Sequence, residues 1–567
     1  MASSESLISK LDSLLAQLLA DWDIYTTGLA TLLVTYVGYV TFFSKDPDAH
    51  PFMLARQAAE APIRQPGESA TLRALDAPHG YPLKAGLGVR DPETPKWSYG
   101  RNGDLRDIWR SAVKGSLNQD GTPKGKRGKI YTVLGKNVEE RSIDEISKEI
   151  NVLGQYIRDS KAQNVAICLS DSVELLATLF AGAFYGFKIT IIPHNLASEE
   201  LATYLQQAKA DLLVAEAGAV DLDVVSKART SLNNVVWVTK VGNQHLDWSQ
   251  GPDELGSQIK VAVWQDLVKD SGNSATSELP ASDPNVATPS ITTLWFPPTG
   301  PGSFVEYTAA NLISAVGALG SSLPRNELLR DSDLFLSIDS LSHTYSLCWT
   351  LAALYANASV ALNSVAGEVV DLALATAGIS PTVLVASSHT ISDYHAQRMG
   401  PSMGPITNIG RYFQSRSLDS GVMPTRNWLW NLSSAAPTAG LSLDKLRLLF
   451  ISHRADGNKQ NRLTSDQLTD LRIFTGARVV YALTAQNVAG AVCQTLPYDY
   501  RTDTGPSHFG PPTNSVEIKL IGCQENGTDE RATEGEIFVT GPSVVSGQSS
   551  LGVKARIRDD NTITLCD

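Results

Sequence analysis

The sequence predicts an α/β protein. From about residue 129 to 290, short runs rich in β-branched residues alternate with longer segments of helical periodicity. The alternation continues from 291 to about 500, and residues 501–567 are β-rich. Strands that alternate with helices form parallel sheets that are covered on both faces. We therefore expect one large unit with two α/β subdomains, at 129–290 and 291–500, and a β-rich subdomain at 501–567.

Composition and charge narrow the class of protein. The chain has 567 residues, of which 43% are hydrophobic and 19% charged, as in a globular protein with a substantial core. A net charge of −12 argues against a nucleic-acid partner. The five cysteines form no CxxC pair and show no metal-ligand spacing. We expect buried free thiols in a reducing compartment.

The N-terminal residues predict contact with a membrane. In region 1–23, leucine and isoleucine recur on one helical face over residues 7–19, which fits an amphipathic surface helix, a partner-binding helix or a core helix. Residues 24–44 contain no charge, and 21 residues of helix are long enough to span a bilayer. We expect a transmembrane helix at 24–44, with a buried helix as the alternative.

The flanks of that segment indicate an orientation. Asp21 and Asp23 precede it, whereas Lys45, Arg56 and Arg64 follow it. By the positive-inside rule the N-terminus is lumenal and the bulk of the chain cytosolic, on the endoplasmic reticulum or another organelle membrane. Residues 45–128 are rich in proline, glycine and charge, and we expect an irregular lead-in.

The first α/β subdomain is predicted in order as follows. Asp171 and Glu174 have the spacing of a capping box at the start of the second helix. Strands are expected at 130–134, 165–169, 189–192, 212–215 and 235–239, with helices at 142–157, 171–185 and 198–208. Residues 271–289 read as a linker.

The second subdomain opens on a characteristic stretch. A strand at 291–296 is followed by a turn-forming PPTGPG run, which contains Thr299 and Gly300, and by a helix from Thr308. A strand, a glycine-containing loop and a helix are the layout of a phosphate-binding turn, in which backbone N–H groups face an anion.

This stretch resembles the signature YTSGTTGLPKGVVLTHRNL of the AMP-forming long-chain acyl-CoA synthetases in the adenylate-forming (AMP-binding) superfamily. Thr299, Gly300 and Thr308 match that signature, as do Asn311 and Leu312. Ser303 stands at the position of the signature lysine, and serine brings no charge to a polyphosphate. Pro297 stands at the first loop glycine and offers no N–H donor.

Further landmarks of the family follow in the same order. Residues 340–343, SLSH, are similar to PLAH and make His343 a candidate acyl-pocket residue, with a structural histidine as the alternative. Residues 481–485, YALTA, resemble YGLTE, with Tyr481 and Thr484 matching. Ala485 stands where the resemblance implies the carboxylate that binds Mg²⁺.

The remaining landmarks show the same mixture of match and departure. Residues 535–542, GEIFVTGP, match a family segment closely. The glycine-rich adenine turn is replaced by SHRADG at 452–457, and Val553 stands at the ribose-binding aspartate. The chain stops at Asp567, where the resemblance places the start of the C-terminal catalytic domain, so we expect that domain to be absent.

The resemblance therefore implies a family frame with a degenerate ATP site. We expect no catalytic residue and no metal site, and the nucleotide-binding remnants are Thr299, Gly300, Ser303, Tyr481 and Thr484. The favoured hypothesis is a membrane-anchored pseudoenzyme with an acyl-ligand-binding, regulatory or scaffolding role in lipid metabolism. It needs no cofactor, and its expected partners are the membrane, a long-chain acyl ligand or a membrane-resident protein.

Two alternatives remain open. An active long-chain fatty acid–CoA ligase with a divergent site would need ATP and Mg²⁺, whereas a purely structural scaffold would have a closed pocket. Residues 347–354 and 382–386 are apolar segments that could form an acyl-pocket wall.

Overall fold

A computed structural model describes most of the chain. It covers residues 23–43, 45–90, 97–98, 100–116, 122, 124–227, 231–240, 248, 259–272, 276–281, 286–399, 404–425, 440–523 and 533–566, with backbone alone for 39–43 and 533. The helix predicted over residues 7–19 lies outside these residues, and the structure leaves it untested.

The lead-in contains regular elements where the sequence predicted none. After helix α1 (Ile24–Phe43), which precedes the lead-in, they are helix α2 (Pro51–Ala55), strands β1 (Ala58–Glu60) and β2 (Leu72–Ala74), and helix α3 (Leu105–Lys114). Helix α3 begins at a capping box in which Asp104 and Asp107 each bond to the other's backbone N–H. It buries Trp109 completely, so the prediction of an irregular lead-in was wrong at this helix.

Helix α1 forms where the transmembrane helix was predicted. Within the described residues, however, no helix combines the length and the apolar character needed to cross a membrane. Threonine, glycine and tyrosine interrupt the apolar run of α1. The structure thus supports a helix at this position and does not support a transmembrane helix.

The next part of the chain, up to residue 307, alternates strands and helices. The elements are β3 (Ile130–Leu134), β4 (Asn137–Arg141), α4 (Ile143–Asp159), β5 (Asn164–Cys168), α5 (Val173–Tyr185), β6 (Lys188–Ile191), α6 (Ser198–Ala208), β7 (Leu212–Glu216), α7 (Leu222–Lys227), β8 (Asn234–Val238), β9 (Lys260–Val263), α8 (Trp264–Ser271), β10 (Ile291–Trp295) and β11 (Ser303–Tyr307).

The remainder completes the alternation and ends in strands. It contains α9 (Ala309–Ser321), β12 (Leu334–Ser337), α10 (Thr344–Tyr355), β13 (Ser359–Asn363), α11 (Leu372–Ala375), β14 (Val383–Ser387), α12 (Ser388–Arg398), α13 (Pro405–Asp419), β15 (Leu448–Arg454), α14 (Ser465–Thr475), β16 (Arg478–Thr484), β17 (Cys493–Gln494), β18 (Glu517–Ile521), β19 (Thr533–Thr540), β20 (Gln548–Ile557) and β21 (Ile563–Leu565).

The described strands form sheets that we call I, II and III. Sheet I has the order β11-β10-β6-β5-β7-β8-β9, sheet II the order β17-β16-β15-β14-β12-β13-β3-β4, and sheet III the order β1-β2-β18-β19-β20-β21. Sheets I and II are parallel except for β11, β17 and β4, whereas sheet III is antiparallel. The mixed α/β class predicted from the sequence is confirmed.

Packing joins sheets I and II into one unit. One hydrophobic cluster contains side chains from both sheets and from the helices between them, with Trp109 of α3 against Phe180 of α5 and Trp349 of α10 against Phe450 of β15. A second cluster joins the opposite face of sheet II to sheet III, and a third covers the outer face of sheet I. Both parallel sheets are therefore buried on both faces, as their apolar strands require.

The sheets do not divide the chain at the predicted boundary near residue 290. Strands β10 and β11 complete sheet I, and β3 pairs with β13 in sheet II. The start of α5 also differs from the prediction: Ser172 is the N-cap and accepts from the N–H of Leu175. Asp171 instead accepts a hydrogen bond from the N–H of Leu341, because its carboxylate faces the turn after β12.

Candidate functional site

The PPTGPG run joins β10 to β11 as a hairpin loop at the edge of sheet I. Strand β11 separates this loop from helix α9, so the predicted strand–loop–helix sequence is interrupted by one strand. Thr299, Gly300 and Ser303 are exposed on the hairpin. Gly300 has φ +112°, a conformation that favours glycine.

Contacts within the protein already occupy part of this loop. The N–H of Gly302 donates to the Tyr204 hydroxyl at 2.9 Å. The Gln486 side-chain amide donates to Ser303 Oγ at 2.7 Å, and so ties the loop to the segment after β16. Ser303, at the position of the signature lysine, and Gln486, next to Ala485, are therefore joined by a hydrogen bond between two neutral side chains.

Arg454 crosses the crevice between sheets I and II. It lies at the end of β15, and its guanidinium carbon is 4.2 Å from the centre of the Trp295 ring. The guanidinium donates to the Phe296 carbonyl and, at 3.2 Å, to the Asp456 carboxylate. Asp456 in turn accepts from the Trp295 indole N–H at 2.8 Å. We call Arg454, Trp295 and Asp456 the Arg454 plug.

His453 precedes the plug and is buried in an aromatic cluster. Its ring stacks on Phe509 with centroids 5.6 Å apart, and its Nδ1 is 2.9 Å from Ser388 Oγ. Burial, reinforced by the nearby charge of Arg462, lowers the pKa of His453 to about 4. The side chain is therefore neutral at pH 7.

His343 has a different electrostatic environment. Its Nδ1 is 2.7 Å from Asp339 Oδ1, and Asp339 Oδ2 accepts from Ser452 Oγ at 3.2 Å. Burial favours the neutral imidazole, but the charge and the hydrogen bond of Asp339 outweigh it and raise the pKa of His343 above its ordinary value. A protonated or readily protonated imidazole thus borders the crevice.

Two cavities meet at His343 and Arg454. The smaller, of about 40 Å³, lies between His343, His453 and Thr484. The larger, of about 580 Å³, extends past the plug along Leu196, Phe296 and Val365. Small-molecule sites are about 300–1,000 Å³, so only the larger cavity has the size of a ligand site.

The predicted site residues are only partly brought together. Thr484 lines the small cavity, where its hydroxyl donates to the His453 carbonyl at 3.2 Å. His343 borders both cavities. Tyr481 is fully buried, and its hydroxyl accepts from the N–H of Leu463 at 3.1 Å. Val553 lies on β20 and packs against the core shared by sheets II and III.

Sequence reasoning missed the Arg454 plug. The signal was the SHRADG segment, in which an arginine and an aspartate replace small residues. The sequence could not show that Arg454 reaches Trp295, which is far away along the chain. Two further predictions differ from the structure. Residues 347–354 lie in α10, and residues 382–386 lie in β14 and directly before it; neither segment lines either cavity.

A crevice between two doubly covered parallel sheets, bordered by a glycine-containing hairpin loop, defines an adenylate-forming, AMP-binding class of fold. The chain belongs to the AMP-binding enzyme family, whose model matches residues 124–547. The resemblance to the AMP-binding superfamily is therefore confirmed. No curated protein matches the chain.

Solved structures show the same fold at low sequence identity. The anthranilate CoA ligase AuaEII, solved with anthranoyl-AMP, has a TM-score of 0.57 at 14% identity, over 82% of this chain and 77% of that one. A long-chain-fatty-acid–CoA ligase from Archaeoglobus fulgidus has a TM-score of 0.53 at 14% identity, over 86% and 87%. The N-terminal domain of FACL13 from Mycobacterium tuberculosis has a TM-score of 0.54 at 13% identity, over 82% and 99%.

Proposed function

We propose that this chain is a catalytically inactive AMP-binding family protein that binds an acyl ligand or a membrane-resident protein partner in lipid metabolism. The observation that carries the proposal is the Arg454 plug, which places a guanidinium where the resemblance puts the adenine turn. The plug joins the hairpin loop to β15 and leaves a cavity of about 40 Å³ behind it. That volume suits ordered water rather than a nucleoside.

The residues present do not fit ATP with Mg²⁺. Ala485 is buried and offers no oxygen ligand from its side chain, and Ser303 offers no charge to a phosphate. Pro297 and Pro298 have no N–H, and the N–H of Gly302 is bonded to Tyr204. A nucleotide would have to displace Arg454 from its contacts with Trp295, Phe296 and Asp456.

The larger cavity supports acyl-ligand binding. Its walls include Leu294, Phe296 and Val369, which give an apolar surface, and its end is formed by His343 and Arg454. A fatty acid could place its chain against the apolar wall and its carboxylate near the Arg454 guanidinium and the His343 imidazole. His343 acts here as an anion-binding residue rather than as a base.

We also infer contact with a membrane, as the sequence predicted. The large apolar side chains described in α1 are exposed, for example Ile24 at 81% and Leu29 at 72%. Helix α13 presents Ile406, Ile409 and Phe413 to solvent on one face. Exposed apolar surface of this extent is typical of a membrane or protein contact.

We propose that the bulk of the chain is cytosolic, on the endoplasmic reticulum or another organelle membrane. Glycosylation tests this orientation directly. Asn357, Asn431 and Asn526 are in Asn-x-Ser/Thr sequons. Asn357 is buried in the fold and cannot report. Mass spectrometry of the protein from native membranes should find Asn431 and Asn526 without glycan, and a glycan at either would reverse the orientation.

The proposed function is tested by ligand stabilisation and by turnover. A ligand that binds only the folded state raises the melting temperature by mass action. We expect palmitate or palmitoyl-CoA to raise it and ATP with Mg²⁺ to leave it unchanged. With ATP, Mg²⁺ and a panel of fatty acids, pyrophosphate release should not exceed the no-protein control. A larger shift with ATP, together with turnover, would establish the active-ligase alternative.

A pair of variants tests the role of the plug. Arg454→Ala should admit ATP and allow ATP to raise the melting temperature, but it should produce no acyl-AMP because Ser303 and Ala485 are unchanged. Arg556→Ala is the control, since Arg556 forms an exposed ion pair with Glu534 on sheet III. If Arg454→Ala gained no ATP stabilisation, the plug would not be what excludes nucleotide.

A further inference from the structure

A third cavity lies outside the crevice. Its volume is about 370 Å³, and it shares no lining residue with the two cavities at His343. Its walls come from the carboxyl ends of β5, β7 and β8, from the β3–β4 hairpin, and from helices α4, α5 and α8. The volume falls within the range of small-molecule sites.

The topology of sheet I places this cavity at a switch point. Strand β5 leads through α5 to β6 on one side, whereas its neighbour β7 leads through α7 to β8 on the other side. Helices α5 and α7 accordingly pack on opposite faces of the sheet. In open α/β sheets, ligands bind at the carboxyl ends of adjacent strands whose connections diverge in this way. Ser170 after β5 and Glu216 at the end of β7 line the cavity at that point.

Glu149 of α4 lines the cavity and carries an unsatisfied carboxylate oxygen. The residue is 5% exposed. One carboxylate oxygen, Oε1, accepts from Arg141, whereas Oε2 has no hydrogen-bond partner among the described residues. A buried acceptor without a partner is costly, and a ligand that donates to it removes that cost.

The charges around the cavity favour a cation. The cationic side chains are largely paired: Lys240 with Glu216 at 2.7 Å, and Arg141 with Glu149. The ionisable lining residues are Glu139, Arg141, Glu149, Asp171, Glu174, Glu216, Lys240 and Lys269. Asp171 is bonded to the Leu341 N–H, and burial raises its pKa to about 8, so it is set aside. The other four acids outnumber the three bases by one when Glu149 is ionised, so an entering cation would then balance the local charge.

The apolar lining residues suit an apolar body. They are Leu134, Leu169, Val238, Val268 and the buried Trp264. We propose that this cavity binds a small organic cation, an amine with an apolar or aromatic body, whose ammonium group donates a hydrogen bond to Glu149 Oε2. This site is separate from the proposed acyl function and does not depend on it.

Titration of Glu149 gives the site a pH dependence. Burial, opposed by Arg141 and reinforced by Glu174 and Glu145, raises the pKa of Glu149 to about 7. The carboxylate must be ionised to hold an ammonium group strongly. Binding should therefore strengthen as the pH rises from about 6 to about 8, a range in which a primary amine stays protonated.

The test is calorimetric titration of the full chain with tryptamine as the probe. We expect binding, and we expect Glu149→Gln to weaken it by about tenfold and to abolish its pH dependence, because one charge-assisted hydrogen bond is lost. Glu140→Gln is the matched control, since Glu140 lies on the same strand as Arg141, bonds to Lys129 and does not line the cavity. Indole-3-acetate, which carries the same ring with a carboxylate, should show no binding that depends on Glu149.

A second variant guards against a purely structural effect of Glu149. Val268→Trp fills the cavity without altering any carboxylate and should also abolish tryptamine binding. Equal tryptamine affinity in the wild type and in Glu149→Gln would overturn the proposal, as would full binding by Val268→Trp or no binding by the wild type.

Discussion

Arg454 and His453 are neighbours at the end of β15, yet their side chains point to opposite environments. Arg454 reaches across the crevice to Trp295, whereas His453 is 2% exposed beneath Phe509. Adjacent residues of a strand project to opposite faces, and this alternation places one side chain in the crevice and the other in the core. These two side chains, at positions where the resemblance implies small residues, therefore leave a cavity of only about 40 Å³ behind the plug.

His453 should make the fold sensitive to acid. Its pKa in the folded state is about 4, below the ordinary histidine value of 6.5, so the unfolded state takes up the proton first as the pH falls. Stability is then lost as the pH falls from about 6.5 to about 4, by about 3 kcal/mol in total. Urea unfolding at about pH 7 and pH 4.5 should show a smaller difference for His453→Gln than for the wild type.

The control for this prediction is His389→Gln. His389 is partly exposed, and its Nε2 lies 3.7 Å from Asp393 Oδ2. The variant should leave the difference in stability between about pH 7 and pH 4.5 unchanged. An acid-induced loss of stability that is the same in His453→Gln and in the wild type would assign it to other groups.

Among the elements, helix α9 shows what the family-like residues do in this chain. Thr308 is its N-cap, and Asn311 completes the capping box by accepting from the Thr308 N–H at 3.0 Å. The Asn311 amide also donates to the carbonyls of Pro542 and Val544, at 2.8 and 3.1 Å, in the turn after β19. Residues that match the family signature thus join the second subdomain to sheet III, whereas Ser303, Ala485 and Val553 depart from the residues that the resemblance implies.

We expect Asn311→Ala to lower the free energy of unfolding by about 2–3 kcal/mol, because it removes one half of the capping box and the side-chain donor to the Pro542 carbonyl, whereas the Val544 carbonyl keeps its hydrogen bond from the Gly547 N–H. Gln467→Ala is the matched control: Gln467 is the third residue of α14 and bonds back to the Thr464 N–H at 2.8 Å in the same capping motif. Gln467→Ala should lower the free energy of unfolding by about 1 kcal/mol. Urea unfolding would contradict the role of Asn311 if the two losses were equal.

The sequence predicted helices and strands well where a single hydrophobic periodicity, helical or strand-like, ran through the whole element. Ile130–Leu134 and Ser198–Ala208 form as the sequence indicated. Strand β11 was not predicted, because the PPTGPG run before it indicates a loop. The burial of Phe304, Val305 and Glu306 nevertheless alternates along the strand. The Arg454 plug and the pairing of Asp171 with Leu341 depend on contacts between distant segments, which no local period encodes.

On the scale of the whole molecule, long-range pairing decides the boundaries. Strand β3 pairs in parallel with β13, more than two hundred residues later, so residues 130–141 belong to sheet II although they precede all of sheet I. A parallel pair needs a crossover connection, and here that crossover contains an entire sheet. The sequence predicted the class of fold and the existence of both α/β units, but not which strands each unit contains.

The segment after α1 connects the N-terminal helix to helix α13. The N–H of Asp48 donates to the Gly421 carbonyl at 2.8 Å, directly after the end of α13. The Arg478 and Tyr500 side chains hold the Asp48 carboxylate, at 3.4 and 2.7 Å. Asp48, a few residues after α1 along the chain, is thus anchored beside the end of α13. A single lipid surface could contact both helices.

We therefore expect the full chain to float with phosphatidylcholine vesicles in a density gradient, with little dependence on salt because the contact is apolar. A double variant, Ile409→Asp with Phe413→Asp, should weaken vesicle binding by about tenfold, since each buried apolar side chain is worth about 1.5–3 kcal/mol. Ile63→Asp with Val286→Asp is the control, because these exposed residues lie outside α1 and α13. Equal flotation of the two double variants would remove α13 from the contact, and no flotation of the wild type would refute membrane binding itself.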